Sequence, residues 1–229
     1  VKGFADLKFI YASEFPEMMK QREMVKTKPF DESSSIDDII NTLPFVYLKT
    51  MDYTKSMLSR NTIIRITNLM KQAKRIEIYG DGVNYDLAKM MAFRFENVHK
   101  DCFVYNASHW EHIKYLEYQK IPTLGILLSH TGKNPMVIDA AKRLKESGIK
   151  TLSISCNSDM RLANITDENI QIMDGRNQLE LQTTTYTVAV QYVLDICISS
   201  LMLHHMDTIE EVYSKLMNAR AEWQNEKMK

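Results

Sequence analysis

Two loops in this chain have the composition of an anion-binding site, and each lies between a strand pattern and a helix pattern. Residues 80–84 (Gly-Asp-Gly-Val-Asn) follow the short strand pattern of residues 75–79, and residues 129–134 (Ser-His-Thr-Gly-Lys-Asn) follow the apolar run of residues 123–128. The first N–H groups of a helix have no partner within the helix, and the helix dipole is positive there. Glycine and hydroxyl residues let an anion approach those groups, so both loops predict contacts to a phosphorylated small molecule.

Strand and helix patterns alternate from residue 75 onward, which is typical of an α/β sheet. We predict strands at 75–79, 101–105, 122–128, 150–155 and 168–173, and helices at 85–98, 110–119, 135–147, 178–205 and 208–227. The alternation predicts a doubly wound, five-stranded parallel sheet with flanking helices, right-handed crossovers and strand order 2-1-3-4-5. In that order strands one and three flank the switch point, where ligands bind at the carboxyl ends of strands. The two loops follow those two strands.

Helical patterns also precede the sheet. We predict a helix up to about residue 24, a polar linker over 26–32, and a helix from Ile36 to about Met57 that Pro44 kinks or breaks. Asn61 is the expected N-cap of a further helix over 62–73. The chain begins with Val1 and not Met, which we interpret as processing or truncation of a longer parent.

Composition narrows the class of protein. The 229 residues carry 29 Lys and Arg against 29 Asp and Glu, a net charge of zero that argues against wrapping nucleic acid unaided. We find no signal peptide and no apolar run of membrane-spanning length, so we expect a cytoplasmic protein. Cys102, Cys156 and Cys197 are an odd number at wide spacing, which indicates reduced core residues. His109 and His112 lack an evident third ligand, and we expect neither metal nor cofactor.

These motifs, in this order, resemble the sugar isomerase (SIS) domain over roughly residues 60–205. Residues 129–134 resemble that family's Ser-x-Ser-Gly-x-Thr loop and are followed by matching stretches at 137–142 and 148–155; residues 80–84 resemble its Gly-x-Gly-x-Ser turn. Thr131 keeps the hydroxyl of a family serine, while Asn84 and Asn134 replace hydroxyl residues, which leaves the ligand's identity open. The side-chain amide of Asn134 can still donate to a phosphate oxygen.

The N-terminal stretch narrows the resemblance further. Residues 2–8 resemble the final helix of the helix-turn-helix domain in MurR/RpiR-type transcriptional regulators. The resemblance implies that residues 1–30 are the remnant of that domain and its linker, and that residues 31–229 are a SIS domain. It implies a homodimer or tetramer that senses a sugar phosphate or related anionic ligand, contacts operator DNA through the mostly missing N-terminal domain, and involves no membrane.

Ten residues are the candidate ligand contacts. They are Gly80, Asp81, Gly82, Asn84, Ser129, His130, Thr131, Gly132, Asn134 and Glu180. Ser129 and Thr131 are the main candidates, although the same hydroxyls could instead cap the helix that Pro135 opens. Asp81 is expected beside sugar hydroxyls, because a carboxylate repels phosphate.

Three functions remain open from the sequence. The favoured one is an effector-binding domain that binds without turnover. The second is a sugar-phosphate isomerase, since SIS isomerases place a catalytic base near Glu180 and a histidine such as His130 could act with it. Glu180 is also explained as a glutamate that complements a helix dipole, which we favour. The third is a degenerate SIS module that only dimerises.

Overall fold

The computed structural model of the chain describes residues 29–109, 111–156, 160–173, 181–203 and 206–227. The predicted N-terminal helix and Glu180 lie outside these residues. The chain divides into two compact units, one made of residues 1–57 and 172–190 and the other of residues 58–171 and 191–229. The second unit contains both loops predicted to bind the ligand.

The described helices and strands follow one another in the order that the sequence pattern predicts. They are α1 (Ile36–Met57), α2 (Arg60–Gln72), β1 (Arg75–Gly80), α3 (Val83–Glu96), β2 (Asp101–Asn106), α4 (Ile113–Gln119), β3 (Thr123–Ser129), α5 (Pro135–Glu146), β4 (Lys150–Cys156), α6 (Arg161–Ile165), β5 (Glu168–Ile172), α7 (Gln182–Met202) and α8 (Met206–Lys227). All five predicted strands are present, and each end lies within one residue of its predicted position.

The five strands form one sheet in the order β2-β1-β3-β4-β5, which confirms the predicted doubly wound order. Strand β1 pairs in parallel with β2 and β3, so Tyr79 lies opposite Tyr105 on one side and Leu127 on the other. Strand β3 pairs in parallel with β4, with Ser129 opposite Ser155. Consequently β1, β2 and β3 end at the same edge of the sheet.

Helices cover the sheet of the second unit on both faces. Right-handed crossovers place α4 and α5 on one face, because both connections run in the same direction, and α3 on the other. Helix α3 contacts β1 and β2, whereas α5 contacts β3 and β4. The buried cluster on the α4–α5 face consists of Tyr79, Ala107, Ile113, Leu116, Leu127, Val137, Ala140, Ala141, Leu144 and Leu162. This packing holds the N-terminus of α5 against the end of β3.

Some helix ends differ from their predicted positions. The N-cap of α2 is Ser59, whereas Asn61 was predicted. The Ser59 Oγ accepts from the Thr62 N–H at 3.5 Å. Helix α1 runs through Pro44 without a break. Helix α6 was not predicted, because five residues are too few to show a helical period.

The first unit is described through α1 and the segments at 172–173 and 181–190. Ser35 and Asp38 cap the start of α1 reciprocally: the Asp38 N–H donates to Ser35 Oγ at 3.1 Å, and the Ser35 N–H donates to Asp38 Oδ2 at 2.8 Å. Hydrogen bonds from Ser35 lower the pKa of Asp38. Thr54 on α1 is buried and accepts from the Met173 N–H at 3.4 Å.

Helix α7 corrects one expectation from the sequence. By length and composition it is long and apolar enough to cross a membrane. Half of its most apolar stretch is buried inside the protein. The apolar pattern is therefore explained by packing.

Candidate ligand-binding site

The two predicted loops lie next to each other at the carboxyl edge of the sheet. Gly80 is the last residue of β1, Ser129 is the last residue of β3, and these strands are neighbours. Each loop leads into a helix, α3 from the first and α5 from the second. The structure thus brings together the two halves of the predicted site.

Glycine is required in the first loop for two different reasons. A Cβ at Gly80 would lie 2.8 Å from the Asn84 carbonyl carbon and 2.9 Å from its oxygen, so the first turn of α3 could not pack there. Gly82, the N-cap of α3, has φ 56° and ψ −127°, a conformation that side-chain-bearing residues rarely adopt. Together these glycines let the N-terminus of α3 lie close to the end of β1.

The hydroxyl residues of the second loop shape the loop itself. Ser129 is buried, and its Oγ accepts a hydrogen bond from the Gly132 N–H at 3.2 Å. Thr131 Oγ1 accepts from the Lys133 N–H at 3.3 Å. Gly132 has φ 67°, which turns the chain toward α5. The two hydroxyls that were predicted to contact an anion therefore accept hydrogen bonds from the backbone of their own loop.

Asn134, and not Ser129 or Thr131, caps α5. Its Oδ1 accepts from the Met136 N–H at 2.9 Å and the Val137 N–H at 3.4 Å, and Pro135 at the first helical position has no N–H to satisfy. The alternative reading of the two hydroxyls as helix caps is thus wrong.

Asp81 connects the loops that follow three strands. The Asn134 Nδ2 group donates to Asp81 Oδ2 at 3.2 Å, which joins the β3 loop to the β1 loop. The Asn106 Nδ2 group, at the end of β2, lies 3.5 Å from Asp81 Oδ1. Asn106 was not among the predicted contacts, although a polar residue directly after the strand pattern at 101–105 marks the same sheet edge.

The site has a divided electrostatic character. Asp81 places a negative charge at the end of β1, and none of the ion pairs described in the structure involves it. The β3 side presents hydroxyls, an amide and the N-terminus of α5. This division suits a ligand with an anionic end for the β3 loop and hydroxyl donors for Asp81.

The other predicted residues have mixed positions. Asn84 is buried in the first turn of α3. His130 is partly buried, and its carbonyl oxygen accepts from the Cys156 N–H at 2.9 Å. In the part of the chain that the structure describes, no three His, Cys, Asp or Glu side chains form a metal-binding group.

A cavity of about 350 Å³ lies at the opposite edge of the sheet. Its lining includes Thr123 and Lys150, the first residues of β3 and β4, together with Gly148 at the end of α5, and none of the ten predicted contacts. Ligands of doubly wound folds bind at the carboxyl ends of the strands, so the Asp81–Asn134 edge is retained as the candidate site.

Comparison with known families identifies the domain type. The sequence model described as the SIS domain matches residues 69–195, more than half of the chain. An HTH-type transcriptional regulator of Caldanaerobacter subterraneus subsp. tengcongensis is 20% identical over 196 residues, which are 86% of this chain and 68% of the regulator. The chain thus spans about two thirds of that relative.

Solved structures share the fold. Vibrio vulnificus NanR in complex with ManNAc-6P has a TM-score of 0.68 at 17% identity, covering 80% of this chain and 70% of NanR. A proposed sugar-phosphate isomerase of Listeria monocytogenes has a TM-score of 0.62 at 14% identity, covering 80% of this chain and all of that one. At these identities the likeness establishes the fold.

Proposed function

We propose that this chain, which belongs to the SIS domain family, is the effector-binding domain of a transcriptional regulator. It senses a phosphorylated sugar. The family membership rests on the match over residues 69–195. The regulator role is supported by the HTH-type relative, and the ligand class by the NanR complex with ManNAc-6P.

The observation that carries the proposal is the hydrogen bond between Asp81 and Asn134. It joins the loop after β1 to the loop after β3 at 3.2 Å, so that one ligand can contact both. The phosphate would bind the loop of Ser129 and Thr131 at the N-terminus of α5. The sugar hydroxyls would donate to Asp81, beside Asn106.

The whole protein is proposed to be a cytoplasmic homo-oligomer that contacts operator DNA through its N-terminal region. The net charge of zero supports DNA contact through a separate region, because DNA binding depends on phosphate neutralisation by basic residues. A ligand transmits a signal only if its affinity differs between two arrangements of the subunits.

A thermal-shift screen tests the proposed ligand class. The chain is heated with hexose, pentose and amino-sugar phosphates at millimolar concentration, beside the same sugars without phosphate. A ligand that binds only the native state raises the Tm by mass action, so we expect one or more phosphosugars to shift it and the free sugars to have no effect. Absence of any shift across the panel would refute the phosphosugar assignment.

The isomerase alternative has its own test. Proton transfer between sugar carbons needs a base within hydrogen-bond reach, and Glu180 is the residue that the sequence offers. We expect NMR to detect no exchange of the sugar C–H proton with deuterated solvent when a bound phosphosugar is incubated with the chain. Exchange that disappears in Glu180→Gln would establish turnover in place of sensing.

A further inference from the structure

A buried polar cluster lies along β1, the strand that leads into the candidate site. Arg75, Glu77 and Tyr79 alternate along β1, so their side chains share the face of the sheet that α4 and α5 cover. The side chains of Glu77 and Tyr79 are fully buried. A carboxylate in such a place is costly unless charged or hydrogen-bonding groups surround it.

Three side chains contact the Glu77 carboxylate. Arg75 Nε forms an ion pair with Oε1 at 2.7 Å, and the Tyr79 hydroxyl donates a short hydrogen bond to Oε2. His112 Nε2 lies 2.8 Å from the Tyr79 oxygen and 3.3 Å from Glu77 Oε2. Arg75 also donates to the Tyr105 hydroxyl at 3.0 Å. Burial and the neighbouring Glu77 raise the pKa of Tyr79 well above its ordinary value, so its hydroxyl remains a donor.

His112 is held from its other side as well. Its Nδ1 lies 2.7 Å from the carbonyl oxygen of His109, and because a carbonyl only accepts, Nδ1 carries the proton and donates. The imidazole stacks on the Tyr105 ring with centroids 3.5 Å apart and planes at 8°. His112 therefore fixes the position of His109, which lies in the segment that follows β2.

The same segment contacts the candidate site at its beginning. The Ala107 N–H donates to the Gly80 carbonyl at 3.0 Å, and Asn106 Oδ1 accepts from the Ser108 N–H at 3.1 Å. Asn106 in turn approaches Asp81 through its Nδ2 group. Residues 106–109 thus connect the buried cluster, through His112, to the sugar side of the site.

We propose that Glu77 and His112 are positioning residues, which hold residues 106–109 so that Asn106 and Asp81 meet the sugar portion of the ligand. This inference rests on the proposed function for its ligand. Neither residue touches the ligand in this scheme. Apolar residues at these two positions could fill the same volume, but they would leave residues 106–109 without the hydrogen bonds that fix them. The anion loop at Ser129 does not depend on them.

The first experiment separates the two ends of the ligand. Isothermal titration compares the best phosphosugar of the thermal screen with inorganic phosphate, on wild type and His112→Phe, which keeps an aromatic ring but removes both hydrogen bonds. We expect phosphosugar affinity to fall by at least about tenfold while phosphate affinity changes less than twofold. His112→Gln restores a side-chain amide that can hydrogen-bond to Tyr79 and should recover part of the loss.

The control is His99→Asn, which alters an exposed histidine whose φ of 57° asparagine tolerates. It should bind both probes like wild type. Equal weakening of both probes in His112→Phe, or weakening of neither, would overturn the positioning role. Wild type that binds phosphate but no phosphosugar would refute the proposed function instead.

A second experiment needs no ligand. Hydrogen exchange of backbone amides should become faster at Ala107 and Ser108 in His112→Phe and in Glu77→Gln, because their hydrogen bonds lose support. The amide of Gly132 in the anion loop should exchange as in wild type. Unchanged exchange at Ala107 and Ser108 would show that the cluster does not position this segment, whatever the ligand proves to be.

Discussion

Asp81 carries a carboxylate at the candidate site, and its charge should affect which ligands bind there. Its carboxylate lies one hydrogen bond from Asn134, which caps the helix proposed to bind the anion. A negative charge there disfavours a bare anion but accepts hydroxyl donors, so the same residue should have opposite effects on phosphate and on a phosphosugar.

We predict that Asp81→Asn binds inorganic phosphate about two- to tenfold more tightly than wild type, because a repulsive charge is removed. The same variant should bind the phosphosugar more weakly, because an amide accepts fewer hydrogen bonds than a carboxylate. Isothermal titration at low salt measures both. Asp101→Asn, which removes an equal charge at the opposite end of β2, should change neither affinity.

Residue types and spacing were enough to predict that the two loops would lie together, but not the hydrogen bonds that connect them. Gly82 and Gly132 have the positive φ that strand-to-helix loops often need, and Gly80 lies where a Cβ would meet the first turn of α3. The Asp81–Asn134 bond requires the strand order and both side-chain conformations, which no local pattern carries. Glu77 was overlooked because Arg75 and Glu77 alternate with isoleucines, a pattern typical of a strand whose charged side chains face solvent, whereas this face is buried.

Among the elements, the start of β4 is hydrogen-bonded to Asp167, which lies in the turn between α6 and β5. Asp167 accepts from the Thr151 N–H at 3.0 Å and from its hydroxyl at 2.9 Å, and pairs with Lys150 at 2.9 Å. Burial raises the pKa of Asp167, but the hydrogen bonds from Lys150 and Thr151 outweigh it, so the pKa lies below its ordinary value.

The pKa of Asp167 is lower in the folded protein than in the unfolded chain, where it is about 3.9, so the ionised carboxylate stabilises the fold above that pH. This stabilisation is lost as the pH falls through the folded-state pKa. We therefore predict that Asp167→Ala lowers the free energy of unfolding by about 1–3 kcal/mol at pH 7. The difference from wild type should shrink below about pH 4. Urea denaturation across pH measures it.

The matched control for Asp167 is Asp139→Ala, which removes a carboxylate that pairs with Arg143 four residues along α5. Such helix pairs contribute only about 0.2–0.5 kcal/mol. A pH-independent loss in Asp167→Ala would show that packing, and not the carboxylate charge, joins the two strands.

The strands were predicted more accurately than the helices for a physical reason. Buried parallel strands are continuous apolar runs bounded by polar or glycine residues, so both ends are visible in the sequence. A helix end depends on which side chain reaches the free N–H groups, which is how Ser59 replaced Asn61 as a cap.

In the whole molecule, α3 presents an exposed apolar stripe that fits the proposed homo-oligomer. Val83, Met90 and Phe93 lie on one side of the helix and are 44%, 45% and 66% exposed. Apolar stripes of this kind on a folded domain mark protein interfaces.

We predict that light scattering gives a mass of about 53 kDa, twice the chain's 26.7 kDa. Phe93→Asp should shift the population toward the single-chain mass, because a charge would be buried at the interface. Lys142→Asp, an exposed change on α5 that also adds negative charge, should leave the mass unchanged. A dimer that persists in Phe93→Asp would place the interface elsewhere.

If a phosphosugar binds where β1 and β3 end, hydroxyl variants at that edge and at the opposite edge should differ in ligand affinity when they are titrated. Ser129→Ala with Thr131→Ala removes both hydroxyls of the anion loop. Thr123→Ala with Ser147→Ala removes two hydroxyls at the opposite ends of the same strand and helix. Each lost bond to a charged phosphate should cost about 1.5–3 kcal/mol, so the first pair should lose at least about 100-fold in affinity while the second retains it. Equal affinity in both double variants would contradict the account and place the ligand elsewhere.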